Sequence, residues 1–155
     1  VLYSYTIKEC GIGESLLETM LLDIIDNQTN PTVATYAKTS CSEVRITAKA
    51  DSFEKAQNLV KPIAEEVIKR LGDNVYSTDE KENIEDALVR LLRKNNLTIS
   101  VAESCTGGLT CSKIVNVGGA SEVFKYGFIT YANEAKMKLL GVSKDSLVIY
   151  TAVSV

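Results

Sequence analysis

The sequence of 155 residues contains no histidine. That absence removes the common ways of activating a nucleophile. Neither a Ser-His-Asp nor a Cys-His arrangement can be assembled, so any nucleophile in this chain needs another base. It also argues against zinc, because the four cysteines, Cys10, Cys41, Cys105 and Cys111, form no Cys-x-x-Cys pair and no imidazole can join them. No metal and no cofactor are expected. Long hydrophobic runs are missing too: none approaches the roughly 20 residues that cross a bilayer, so no membrane partner is expected. No signal-peptide pattern stands at the front, where Val1 in place of Met suggests a chain that begins mid-protein. A cytoplasmic location follows as the expectation.

A basic surplus is also lacking. Residues 1–78 hold 8 Lys and Arg against 11 Asp and Glu, and residues 79–155 hold 9 against 9. Neither half has the positive excess that drives nucleic-acid binding by counterion release, so nucleic acid is not an expected partner. The 45% hydrophobic and 24% charged shares fit a soluble globular chain with one ordinary domain or two small ones.

What is present reads in two halves. Residues 2–8 are rich in aromatic and β-branched types and predict a strand. After Gly11-Ile12-Gly13, residues 15–26 place Leu16, Leu17, Met20, Leu21, Ile24 and Ile25 on one helical face. Asn30-Pro31 marks a turn, and residues 32–38 and 43–50 read as strands joined by a short hairpin link at 39–42. Val44, Ile46 and Ala48 alternate with Arg45, Thr47 and Lys49, which predicts one buried and one wet face. A helix capped by Asp51 or Ser52 runs to Gly72, and Pro62 inside it predicts a kink or short break near Asn58. The first 75 residues therefore read strand–helix–strand–strand–helix, a small α+β domain. The polar residues 76–82 read as a linker.

Residues 83–155 read as a second, α/β layered domain. A helix carries Ile84, Ala87, Leu88, Leu91 and Leu92 on one stripe and ends at Asn95-Asn96. The apolar run Leu97–Ala102 then predicts a strand that opens abruptly into Glu103-Ser104-Cys105-Thr106-Gly107-Gly108. A helix is expected behind this turn up to Gly118-Gly119, with a short helical turn at Ala120-Ser121. A strand is expected over Tyr126–Tyr131, followed by a helix Glu134–Leu140 capped by Asn133 and closed by Gly141.

The chemistry concentrates at the turn after residue 102. A strand that opens into a glycine-rich turn at a helix start gathers free N–H groups in one place, suited to an anion, a nucleophile or both. Ser104 is the candidate nucleophile; the competing reading has Ser104 or Thr106 as a plain helix cap. Cys105, with no histidine to activate it, reads as a half-buried structural thiol. A nucleophilic Ser104 must pass its proton to a lysine, tyrosine or carboxylate. Tyr131 and Lys136 flank the next strand-to-helix junction, where residues converge on the same sheet edge; a solvated helix lysine is the competing reading for Lys136. Glu103 either positions a partner or pairs locally.

These residues resemble a known family. Ala102-Glu103-Ser104-Cys105-Thr106-Gly107-Gly108, with Tyr126-Gly127-Phe128-Ile129-Thr130-Tyr131-Ala132-Asn133-Glu134-Ala135-Lys136 and Leu139-Leu140-Gly141-Val142, resembles the C-terminal nicotinamide mononucleotide deamidase domain of the CinA family. Gly11-Ile12-Gly13-Glu14-Ser15, Asn30-Pro31-Thr32 and Arg45-Ile46-Thr47-Ala48 resemble its KH-type middle domain. The resemblance implies hydrolysis of nicotinamide mononucleotide to the nicotinic acid form and ammonia, in pyridine nucleotide salvage. It assigns Ser104 as nucleophile, Lys136 as base and Tyr131 as a supporting hydroxyl. It assigns Thr106, Gly107 and Gly108 to the oxyanion or the substrate phosphate. The implied partners are a small nucleotide substrate and further copies of the chain. The family's second domain extends past Val155 through another glycine-rich loop, so the resemblance implies an α/β domain incomplete at its C-terminus. Thr151 stands where the family usually has glycine. A non-catalytic interaction or nucleic-acid-binding module is the alternative function, although Gly11-Ile12-Gly13 lacks the Gly-x-x-Gly spacing of a KH clamp.

Overall fold

The computed structural model describes residues 1–38 and 41–153. Thr39 and Ser40 of the expected hairpin link, and Ser154 and Val155, lie outside the described residues. The chain divides into two compact units, Val1–Ile84 and Glu85–Val155.

The first unit contains β1 (Leu2–Glu9), α1 (Glu14–Asp26), β2 (Thr32–Ala37), β3 (Ser42–Lys49), α2 (Phe53–Leu71) and β4 (Val75–Ser77). The four strands form one antiparallel sheet in the order β2-β3-β1-β4. Period-two alternation decides which face is dry. In β3, Ser42, Val44, Ile46 and Ala48 are buried while Glu43, Arg45 and Thr47 stay half-exposed. Both helices pack on that dry face, where Leu17 and Leu21 of α1 and Ala56, Val60 and Val67 of α2 meet Ile7, Val44 and Ile46. Leu16 departs from the expected buried stripe and remains 56% exposed.

Pro62 does not break α2. The helix runs uninterrupted over 19 residues, because Pro62 and Asn58 both lie on the exposed face. The carbonyl that loses its intrahelical donor there faces water, while the buried stripe from Ala56 to Leu71 keeps the helix docked. The expected 76–82 linker also needs correction, since it begins inside β4. Ser77 pairs with Lys8 across the sheet edge, and the buried Lys8 ammonium donates to the carbonyls of Glu80 (2.7 Å) and Glu82 (2.9 Å). A cation taken out of water needs acceptors, and these carbonyls fasten the segment to the sheet.

The second unit contains α3 (Ile84–Lys94), β5 (Ile99–Glu103), α4 (Leu109–Val115), β6 (Phe124–Ile129), α5 (Asn133–Leu140) and α6 (Lys144–Tyr150). β5 and β6 pair in parallel, with Val101 opposite Gly127 and Glu103 opposite Ile129. Parallel neighbours need a crossover connection, and α4 supplies it. Val89 of α3, Ile114 of α4 and Val123 form the buried core, with Leu88, Ile99 and Val101 packed against it.

Three expectations shift here. β6 lies two residues earlier than the expected Tyr126–Tyr131 strand, so Thr130 and Tyr131 fall in the turn after it. Asn133 is the first residue of α5 rather than its cap; Ala132 occupies the cap position without a side-chain bond. Helix α6 was not expected, although Ser143 caps it by accepting from the Ser146 N–H. At its end Thr151 sits at φ +63° and ψ −174°, a region that side chains with a Cβ rarely enter.

Candidate active site

The site forms where β5 and β6 end side by side. After β5 the chain turns at once, and two glycines in left-handed conformations carry it into α4, Gly107 at φ +59° and Gly108 at φ +101°. Gly108 is constrained twice over, because a Cβ there would also come within 2.8 Å of the Ile129 side chain.

Neither Ser104 nor Thr106 caps α4. Gly108 holds the cap position without a side-chain bond, and the donors at the helix start are met by Glu103, which is 5% exposed and reaches forward over the turn. Its carboxylate accepts from the Thr106 hydroxyl (2.6 Å) and from the N–H groups of Gly108 (3.1 Å), Thr110 (3.0 Å) and Cys111 (2.7 Å). A carboxylate at a helix N-terminus satisfies orphan donors and meets the positive end of the dipole. Burial pushes this carboxyl up. The Cys111 and Thr106 side chains and the Cys111 and Thr110 N–H groups outweigh that and hold it at about 2. The same contact raises the Cys111 thiol, chiefly through its hydrogen bond to Glu103.

Lys136 stands in the first turn of α5 and is 8% exposed. Its Nζ lies 3.1 Å from the Ser104 hydroxyl oxygen, 2.6 Å from the Thr130 carbonyl oxygen and 2.7 Å from the Tyr131 carbonyl oxygen. The lysine is therefore not a solvated helix residue. Thr130, 2% exposed, ties the two strand ends together: its N–H donates to the Glu103 carbonyl at 2.8 Å and its hydroxyl donates to the same oxygen at 3.3 Å.

The remaining expected residues are placed differently. Tyr131 reaches the site only through its backbone carbonyl. Its side chain is 74% exposed, and among the described residues its hydroxyl has no hydrogen bond. The Gly107 N–H donates to the Ser104 carbonyl and the Gly108 N–H to Glu103, so both amides are occupied. Among the described residues, the N–H groups of Ser104, Cys105 and Thr106 are the ones in this turn that carry no hydrogen bond. Cys105 is exposed rather than half-buried.

Glu103 and Thr130 are the contributors that pattern reading did not resolve. Glu103 left one faint signal, an acidic residue ahead of a helix start. A cavity of about 340 Å³ opens over Ser104, Lys136 and Thr130, walled by Leu140, Val142 and Tyr150, within the size range of small-ligand sites. A larger groove of about 810 Å³ beside α3 is lined by Arg90, Arg93 and Lys94, but neither Ser104 nor Lys136 borders it. Among the described residues, no group of three His, Cys, Asp or Glu side chains could hold a metal ion. No helix among them is long and apolar enough to cross a membrane.

Comparison with known proteins agrees with this organisation. Residues 81–155 match the CinA C-terminal domain, and residues 4–77 match the damage-inducible protein CinA KH domain. A CinA-like protein of Kosmotoga olearia is 51% identical over 154 residues, 99% of this chain and 37% of that relative. The chain thus spans little more than a third of the length of the curated relatives it matches. A solved structure of a competence-damaged protein (CinA) superfamily protein from Escherichia coli is 41% identical and covers 47% of this chain and 42% of its own, at a TM-score of 0.46. The first unit is a KH-type α+β domain and the second an α/β domain, and the chain belongs to the CinA family.

Proposed function

We propose that Ser104 and Lys136 are the nucleophile and base of an amidohydrolase of the nicotinamide mononucleotide deamidase type, acting in pyridine nucleotide salvage in the cytoplasm. The observation that carries this reading is the 3.1 Å contact between a serine at a strand-to-helix turn and a buried lysine already held by two carbonyls. To act as the base, Lys136 must present an amine with two N–H donors and one lone pair. With both donors spent on the Thr130 and Tyr131 carbonyls, the lone pair is left facing the Ser104 hydroxyl, the arrangement a general base requires. The same carbonyls stabilise the ammonium once the proton has moved.

The steps then follow. Ser104 Oγ attacks the carboxamide carbon as its proton passes to Lys136 Nζ. The oxyanion faces the unoccupied N–H groups of Cys105 and Thr106, donors of the kind that stabilise tetrahedral intermediates. Collapse breaks the C–N bond, and Lys136 returns the proton to the departing ammonia. Water, deprotonated by the same amine, hydrolyses the acyl-serine and restores the hydroxyl. The scheme uses no histidine and no metal.

The test is ammonia release from nicotinamide mononucleotide by the intact protein and by Ser104→Ala. Loss of the nucleophile is expected to lower turnover by about a thousandfold or more. Equal rates would refute the assignment.

A further inference from the structure

We infer that Glu103 is a positioning residue for the Ser104–Lys136 pair, setting its geometry through both its side chain and its main chain. This rests on the amidohydrolase reading above and adds a role to a residue that touches neither substrate nor proton.

The case starts from connectivity. Ser104 is the next residue after Glu103, so the direction of its side chain is set by the backbone on either side. On the upstream side, the Glu103 carbonyl accepts both the N–H and the hydroxyl of Thr130. Thr130 in turn gives its own carbonyl to Lys136 at 2.6 Å. On the downstream side, the Glu103 carboxylate holds Thr106, Gly108, Thr110 and Cys111. Both flanks of the nucleophile and one of the two carbonyls that hold the base therefore converge on a single residue.

Charge is part of the role. The two carboxylate oxygens receive three backbone N–H groups and one hydroxyl, with the Cys111 thiol beside them. A glutamine of the same shape has one accepting oxygen, and its NH₂ would face donors. With the amide oxygen kept toward Thr106, Gly108 and Thr110, the NH₂ would meet the Cys111 N–H. The turn must then shift, and Ser104 with it.

Glu103→Gln in the intact protein tests the inference. Misplacing reacting groups by about an ångström costs roughly a hundredfold in rate. We therefore expect kcat to fall by about ten- to a hundredfold while KM stays within about threefold, because no substrate contact is lost. A kcat within threefold of wild type, or a loss matched by an equal rise in KM, overturns the inference. If that variant does not fold, Thr106→Val, which removes one donor to the carboxylate, decides. A kcat reduced threefold or more at unchanged KM supports the role, and wild-type kcat overturns it. Ser104→Ala measured alongside separates the two readings. Wild-type turnover in Ser104→Ala defeats the amidohydrolase assignment itself. An inactive Ser104→Ala beside an unaffected Glu103→Gln defeats the role of Glu103 alone.

Discussion

Replacing Lys136 by methionine removes the amine and leaves a side chain of similar length in the same place. Three bonds disappear, to Ser104, Thr130 and Tyr131. The acceptors differ in what they lose. The Thr130 carbonyl is buried with its bond to Lys136, whereas the Tyr131 carbonyl and the Ser104 hydroxyl lie in a partly buried setting that water can re-enter. An orphaned buried acceptor costs about 1–3 kcal/mol, and methionine recovers part of this because no polar amine has to be desolvated. A net destabilisation of about 1–2 kcal/mol is expected on balance. Chemistry suffers far more, since loss of a general base lowers rates by about 10²–10⁴-fold. Lys136→Arg sharpens the distinction. Arginine keeps the charge and can still donate to the carbonyls, yet it cannot accept the proton. Both variants are expected to lose at least about a hundredfold in ammonia release from nicotinamide mononucleotide. Urea unfolding followed by circular dichroism reports the stability cost separately. Either variant retaining more than a tenth of wild-type turnover would refute the base role. An unfolding midpoint unchanged in Lys136→Met would refute the energetic role assigned to the two carbonyls.

Two further outcomes follow from neighbouring contacts. The Glu103 carboxyl is held at about 2, below its ordinary value of 4.5. Its contribution to stability is therefore present above about pH 4.5 and lost as pH falls through about 2. Urea midpoints measured from pH 6 to pH 2 should decline over that window in wild type and decline less in Glu103→Gln; parallel curves would contradict the assignment. At Gly127 of β6, an added Cβ would lie 2.7 Å from the Cys111 sulfur and 3.0 Å from the Phe124 ring. Gly127→Ala is expected to destabilise by about 1–3 kcal/mol through overpacking, and thermal unfolding should show a smaller cost in a Cys111→Ala background. An equal cost in both backgrounds would mean the sulfur is not the obstacle.

Local pattern carried much of the architecture. The alternation in Ser42–Lys49 and the i, i+3, i+4 spacing of Ala56, Val60, Ala64 and Val67 correspond to a dry sheet face and a docked helix stripe, because both are read within one element. Features fixed by partners distant in sequence were not legible in that way. Tyr76 and Ser77 read as the start of a linker and instead complete a strand with Val75, because β1 offers an open edge. Pro62 signals a break, yet the energy of the buried stripe decides the matter. At the candidate site, the serine and the two glycines stand out locally, but the approach of Lys136, 32 residues further on, depends on the parallel pairing of β5 and β6. Glu103 shows the same limit on a shorter scale, since a carboxylate that bonds residues three to eight positions ahead has no fixed sequence signature.

The parallel pairing of β5 and β6 has a consequence for when reactivity arises. One residue of strand advances the chain by about 3.3 Å, more than the 3.1 Å that separates Ser104 from Lys136. A register slip of a single position would carry the hydroxyl out of reach of the amine and turn it toward the opposite face. Strand register thus serves as the ruler for the pair. A newly made or partly melted chain carries an ordinary serine and an ordinary lysine, harmless to the amides around them. The Ser104–Lys136 contact exists only while the sheet is intact, so under the proposed function turnover would double as a gauge of folding.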